Sequence, residues 1–80
     1  MLNYKLSFLD GQEVLGAAEQ IFFKDSVTIM TLKPNGAPVI ALLKNGSLSV
    51  TSSEGVKSFS YIEGFVKSSG SECVISILKY

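Results

Sequence analysis

The stretch Val39-Ile40-Ala41-Leu42-Leu43-Lys44-Asn45-Gly46-Ser47-Leu48-Ser49-Val50 decides how this chain folds. Its first five residues are apolar without a break, and β-branched Val39 and Ile40 suit a pleated surface. Asn-Gly between apolar runs is the strongest short-range hairpin signal. The stretch therefore predicts a strand, a tight turn at Asn45-Gly46, and a return strand on which Leu48 and Val50 alternate with serines. Immediately upstream, Lys33-Pro34-Asn35-Gly36-Ala37-Pro38 brackets an Asn-Gly pair with prolines and cannot be regular structure. The prolines also stiffen it, which predicts a rigid protrusion and not a floppy tether. Downstream, Ser52-Ser53-Glu54-Gly55 predicts a turn and residues 56–62 a strand. Glu63-Gly64 allows a bulge or bend before Phe65-Val66. Ser68-Ser69-Gly70-Ser71 is a polar turn, and residues 73–78 close the chain as a last strand.

The N-terminal half is read in the same way. Leu2, Tyr4, Leu6 and Phe8 alternate with Asn3, Lys5 and Ser7, a half-buried strand that ends at Asp10-Gly11. Residues 14–23 are ambiguous: Val14, Ala18 and Ile21 fit helical spacing, but Gly16 and Ile21-Phe22-Phe23 suit strands better, and two short strands are expected. Residues 27–32 read as a further strand after the polar break Lys24-Asp25-Ser26. Turns recurring about every 8 to 12 residues are the mark of an all-β chain. The expectation is one domain over residues 1–80, a small antiparallel β-sandwich or flattened barrel of about eight to ten short strands.

Composition narrows the function. Seven lysines balance five glutamates and two aspartates, and histidine, arginine and tryptophan are absent. Zero net charge removes the electrostatic basis for nucleic acid or an anionic membrane as main partner. Without histidine there is no imidazole base to activate any of the twelve serines, and none among the metal ligands. Lys57-Ser58 and Lys67-Ser68 are neighbours in sequence, so on a strand they point to opposite faces. Glu13, Glu19, Glu63 and Glu72 read as surface carboxylates. Cys73 sits in an apolar strand and reads as a small core hydrophobe. The chain is expected to be no enzyme and to carry no catalytic residues, cofactor or metal. No apolar run reaches the roughly 18–20 residues that a membrane-spanning helix needs.

One feature points to a protein partner. The chain is 46% hydrophobic, and residues 39–43 show no polar residue on either side. A two-layer fold covers only one face of each strand, so either a corner of the fold or another protein must cover the second. The competing fate, a small β-barrel binding nucleic acid or acting as an adaptor, would use Tyr4, Phe8, Phe59, Tyr61 and Phe65 as stacking platforms. Tyr4 and Phe8 fall on the apolar face of their strand, and the lysines are scattered.

Five motifs in order resemble the N-terminal β-sandwich domain of the epsilon subunit of bacterial F-type ATP synthases: Gly16-Ala17-Ala18-Glu19-Gln20-Ile21, Pro34-Asn35-Gly36-Ala37-Pro38, Leu43-Lys44-Asn45-Gly46-Ser47-Leu48, Gly64-Phe65-Val66 and Val74-Ile75-Ser76-Ile77. Two departures stand out. Gly36 replaces the histidine of the family's Pro-x-His-Ala-Pro loop, and Thr28-Ile29-Met30-Thr31 replaces its Gly-Glu-(Phe/Leu)-Gly stretch. The resemblance implies a non-catalytic rotor subunit that joins the gamma subunit to the c-ring and couples proton flow to ATP synthesis. It implies that Lys33, Pro34, Asn35 and Gly36 face the c-ring. It likewise implies that Ile40, Leu42, Gly64 and Phe65 face gamma. The implied location is peripheral, on the cytoplasmic face of the bacterial inner membrane, with membrane contact only through other subunits. The family's C-terminal helical hairpin would begin where this sequence stops, so a short form without that helical domain is expected.

Overall fold

A computed structural model describes residues 1–79; Tyr80, where the sequence reading ends the domain, lies outside them. The strands are β1 Leu2–Phe8, β2 Glu13–Ala18, β3 Gln20–Asp25, β4 Ile29–Leu32, β5 Val39–Ser52, β6 Gly55–Ser68 and β7 Glu72–Leu78. The all-β class is as expected, and the ambiguous segment is two strands, β2 and β3. The strands form one hydrogen-bonded sheet in the order β2-β1-β7-β6-β5-β3-β4. Neighbours are antiparallel except β1 and β7, which run parallel from Asn3↔Glu72 to Phe8↔Ile77. The sheet is thus mixed. The first and last strands meet through closure of the fold, and no local turn signal announces such a pairing.

Among the described residues there are seven strands and not eight to ten, because β5 and β6 are 14 residues each and pair along nearly their whole length. Their outer partners use only halves of them. β3 pairs with β5 from Gly46 to Thr51, and β7 pairs with β6 from Glu63 to Ser68. One layer therefore holds β2, β1, β7, the second half of β6 and the first half of β5. The other holds β4, β3, the second half of β5 and the first half of β6.

The expected hairpin at Asn45-Gly46 is where β5 passes from one layer to the other. Asn45 is left-handed (φ 52°), but Gly46 is not among the positive-φ residues. A two-residue type I′ turn needs positive φ at both central positions. With only one, the chain does not reverse; it changes face. Leu43 points inward before the bend, and Leu48 and Val50 point inward after it. In β6 the change runs opposite, from Tyr61 to Val66. Pairing lapses between Lys44↔Glu63 and Gly46↔Tyr61 and resumes in the same register. Gly46 is required for another reason: a Cβ there would run into the Asp25 side chain and the Lys24 carbonyl.

The inward faces build one core. Leu2, Leu6, Ile75 and Ile77 from the first layer meet Ile21, Phe23, Leu48 and Val50 from the second, all nearly or fully buried. Tyr4 and Phe8 belong to the same core, as their alternation predicts, and so does Cys73, as its apolar strand predicts. Phe8 also tilts against Phe59, with ring centroids 5.9 Å apart.

Candidate interaction surface

The outward face of the first layer carries the apolar residues that the core does not use. Ile40 and Leu42 are each 77% exposed, and Phe65 and Val74 are 45% and 42% exposed. Pairing sets them side by side: Leu42 opposes Phe65, Ile40 opposes Lys67, and Lys67 opposes Val74. One face of residues 39–43 is therefore open in the isolated domain, and the other face is core. Near the bend the row continues into an open groove of about 830 Å³, whose lining includes Leu9, Val27, Leu42, Phe65 and Leu78.

Gly64 does not lie with Ile40 and Leu42. It has the phase of Val66, is half-buried, and reaches the groove through its backbone. A side chain at this position would collide with the Ser76 carbonyl, so the glycine allows β6 to approach β7. Sequence motif alone grouped it with Phe65.

Asp25 shapes the groove's rim and escaped the sequence reading, which saw only a polar break. Its Oδ1 accepts from the Val27 N–H at 2.8 Å and the Thr28 N–H at 2.7 Å. Its Oδ2 accepts from the Lys44 N–H at 3.1 Å and the Tyr61 hydroxyl at 2.6 Å. One carboxylate thus ties the β3–β4 connection to β5 and β6 at their bend. Partial burial works to raise its pKa, but the Tyr61 hydroxyl and the three N–H donors outweigh that and hold it below the usual aspartate range. Tyr61 is displaced the other way, by burial first and then by its bond to Asp25 and that charge. An Asx turn after a strand was the available signal, since Asp commonly caps the N–H groups of the next residues.

The loop at residues 33–38 sits at the opposite end of β5's first half. Asn35 is left-handed (φ 63°), its N–H donates to the Gly70 carbonyl at 2.8 Å, and the Gly36 N–H donates to the Lys33 carbonyl at 3.2 Å. The loop is pinned against the turn that follows β6. Lys33, Asn35 and Gly36 are exposed and Pro34 is half-buried. The two groups of predicted interface residues occupy different regions, the loop at one end and Ile40, Leu42 and Phe65 on the outer face.

Chemistry elsewhere is sparse. Burial pushes the Cys73 thiol up to about 11, so it stays protonated at neutral pH and packs in the core. Lys5 and Glu13 form an exposed ion pair at 2.9 Å. The Lys5 hydrogen bond, then its charge, lowers the Glu13 pKa. Among the described residues, no group of three His, Cys, Asp or Glu side chains is placed to hold a metal ion.

No protein-family model matches the sequence, and no curated protein matches it. Among solved structures, the fold is similar to that of a chain in the cryo-EM structure of the Tetrahymena thermophila mitochondrial ATP synthase central stalk/c-ring, with a TM-score of 0.80 at 17% identity. The match covers 98% of this chain and 63% of that one, so this chain spans less than two thirds of its neighbour's length. At such identity the likeness is one of fold.

Proposed function

We propose that this chain is a non-catalytic rotor subunit of a proton-translocating F-type ATP synthase, of the epsilon type. It joins the gamma subunit to the c-ring and transmits rotation without performing chemistry. The observation that carries this reading is the fold likeness over 98% of the chain to a chain of an ATP synthase central stalk/c-ring structure. The five motifs noted in the sequence agree with it. The outer face supplies a physical reason for a permanent partner. Ile40, Leu42 and Phe65 form an exposed apolar row, and cores of lasting interfaces are built from such surface.

In this reading the row and the adjoining groove bind gamma, and the loop with Lys33, Pro34, Asn35 and Gly36 rests on the polar loops of the c-ring. Gly36 offers no side chain there, so Lys33 and Asn35 supply the polar contacts. The subunit sits at the cytoplasmic face of a bacterial inner membrane and touches that membrane only through other subunits.

Binding to the gamma subunit of the same organism, followed by calorimetry, tests the proposal. Leu42→Ser removes an exposed side chain and should leave the unfolding midpoint nearly unchanged. It should weaken gamma binding by more than about tenfold, roughly 1.4 kcal/mol. Wild-type chain that fails to bind gamma, or a Leu42→Ser variant that binds as well as wild type, would contradict the assignment of this face.

A further inference from the structure

The first half of β5 pairs with a strand on one side only. Its even-numbered residues direct their backbone groups away from β6. The Lys44 N–H donates to Asp25 Oδ2 at 3.1 Å, and the Lys44 carbonyl accepts from Ser26 Oγ at 2.8 Å and from the Ser26 N–H at 3.2 Å. The Leu42 carbonyl accepts from Thr28 Oγ1 at 3.3 Å. In an antiparallel strand the N–H and C=O of a residue point to one side, and every second residue repeats the direction. The Ile40 N–H, the Ile40 carbonyl and the Leu42 N–H therefore lie on this same edge. β3 reaches β5 only from Gly46 onward. Residues 25–28 thus cap the edge over Leu42 and Lys44 and leave three backbone groups bare, between two side chains that are each 77% exposed. Native sheets blunt open edges with charge, proline or a covering loop. The cap does so for the upper part of this edge, and no other described residue does so at residues 40–42.

We propose that the open edge at Ile40 and Leu42 receives a short extended segment of a partner protein, which continues the layer beyond β5. The segment places apolar residues at alternate positions against Ile40 and Leu42 and a carboxylate beside Lys67. Bare N–H and C=O groups in strand geometry call for an extended backbone. The carboxylate follows from charge: Lys67 opposes Ile40, residues 33–44 carry Lys33 and Lys44 and no acidic residue, and the ion pair among the described residues is Lys5–Glu13. Among the described residues Lys67 has no ion-pair partner, and it stands at the margin of an apolar row. A second copy of this chain does not fit. Pairing two such edges antiparallel sets residue 40 of one against residue 42 of the other. Each copy's cap then fills the space that the other's chain requires ahead of residue 40. Naming gamma as the partner rests on the rotor reading; the chemistry of the segment does not.

Amide exchange of the nitrogen-15-labelled chain tests the inference, with two probes added separately: the gamma subunit, and the peptide acetyl-Glu-Thr-Val-Thr-Val-Thr-Glu-amide, whose valines and glutamates share one face of a strand. The Ile40 and Leu42 amides should exchange at least about tenfold more slowly in complex, the equivalent of one hydrogen bond. Ile40→Pro removes an outward N–H that the β5–β6 ladder does not use, and Ile40→Ala trims the side chain but keeps that N–H. The proline variant should bind about tenfold more weakly than the alanine variant. Protection by the peptide without any binding of gamma keeps the edge site and removes the rotor reading. Gamma binding while both amides exchange freely with either probe overturns the edge site and leaves the rotor reading in place. No protection and no gamma binding removes both.

Discussion

Four donors converge on the Asp25 carboxylate, and two of them lie 19 and 36 residues away in sequence. That distance is why the residue was illegible beforehand: its neighbours advertise an Asx turn, but nothing local announces Lys44 or Tyr61. Burial raises its pKa and the hydrogen bonds lower it, and the net folded value lies below the unfolded one. The stabilisation is therefore complete above the unfolded aspartate pKa of about 3.9, and is lost as pH falls through the lower folded value. Asp25→Asn replaces two acceptor oxygens with one acceptor and a donor. It should cost about 1–3 kcal/mol in urea unfolding at pH 7, because the buried Tyr61 hydroxyl or the Lys44 N–H loses its partner. It should also flatten the loss of stability as pH falls below the unfolded aspartate pKa of about 3.9. A variant whose acid unfolding superimposes on wild type would show that the carboxylate does not hold the bend.

β5 and β6 show what periodicity reveals and where a strong local signal overrides it. The alternation of β1 located Tyr4 and Phe8 in the core, and the turns after β1, β5 and β6 fell where glycine and serine placed them. The change from odd to even inward positions, between Leu43 and Leu48, was also visible in the sequence. Asn45-Gly46 is a hairpin dipeptide and so signals a reversal, yet only Asn45 adopts the left-handed conformation. Asn tolerates that region and β-branched residues do not. Asn45→Val should therefore destabilise the fold by about 1–2 kcal/mol, and Asn45→Gly should stay within about 0.5 kcal/mol of wild type. Equal stabilities for the two variants, measured by urea unfolding, would mean that the strand crosses between layers without a left-handed residue. The outward-facing apolar residues were legible in part by the same means. Ile40 and Leu42 are outward because one face of an unbroken apolar run must be. Gly64 has the inward phase of Val66, which a motif does not reveal because it carries no phase.

At the scale of the whole molecule, a neutral chain measuring 29 × 23 × 19 Å leaves large apolar side chains exposed on its outer layer and pins a proline-flanked loop at one end. The all-β class could be read from turn spacing alone. The mixed sheet could not, because the β1–β7 pairing joins the two ends of the chain. The central claim is that this domain stands on a c-ring with the loop at residues 33–38 downward. Lys33→Cys is the substitution of choice for testing that claim. The side chain is exposed, whereas Asn35 is left-handed and would be strained by cysteine. In ATP synthase purified with this variant in place, and with a cysteine in the polar loop of the c subunit, oxidation should yield a disulfide-linked product of this chain and the c subunit. Recovery of the assembled enzyme with no such product, or with the chain linked to gamma alone, would contradict the account.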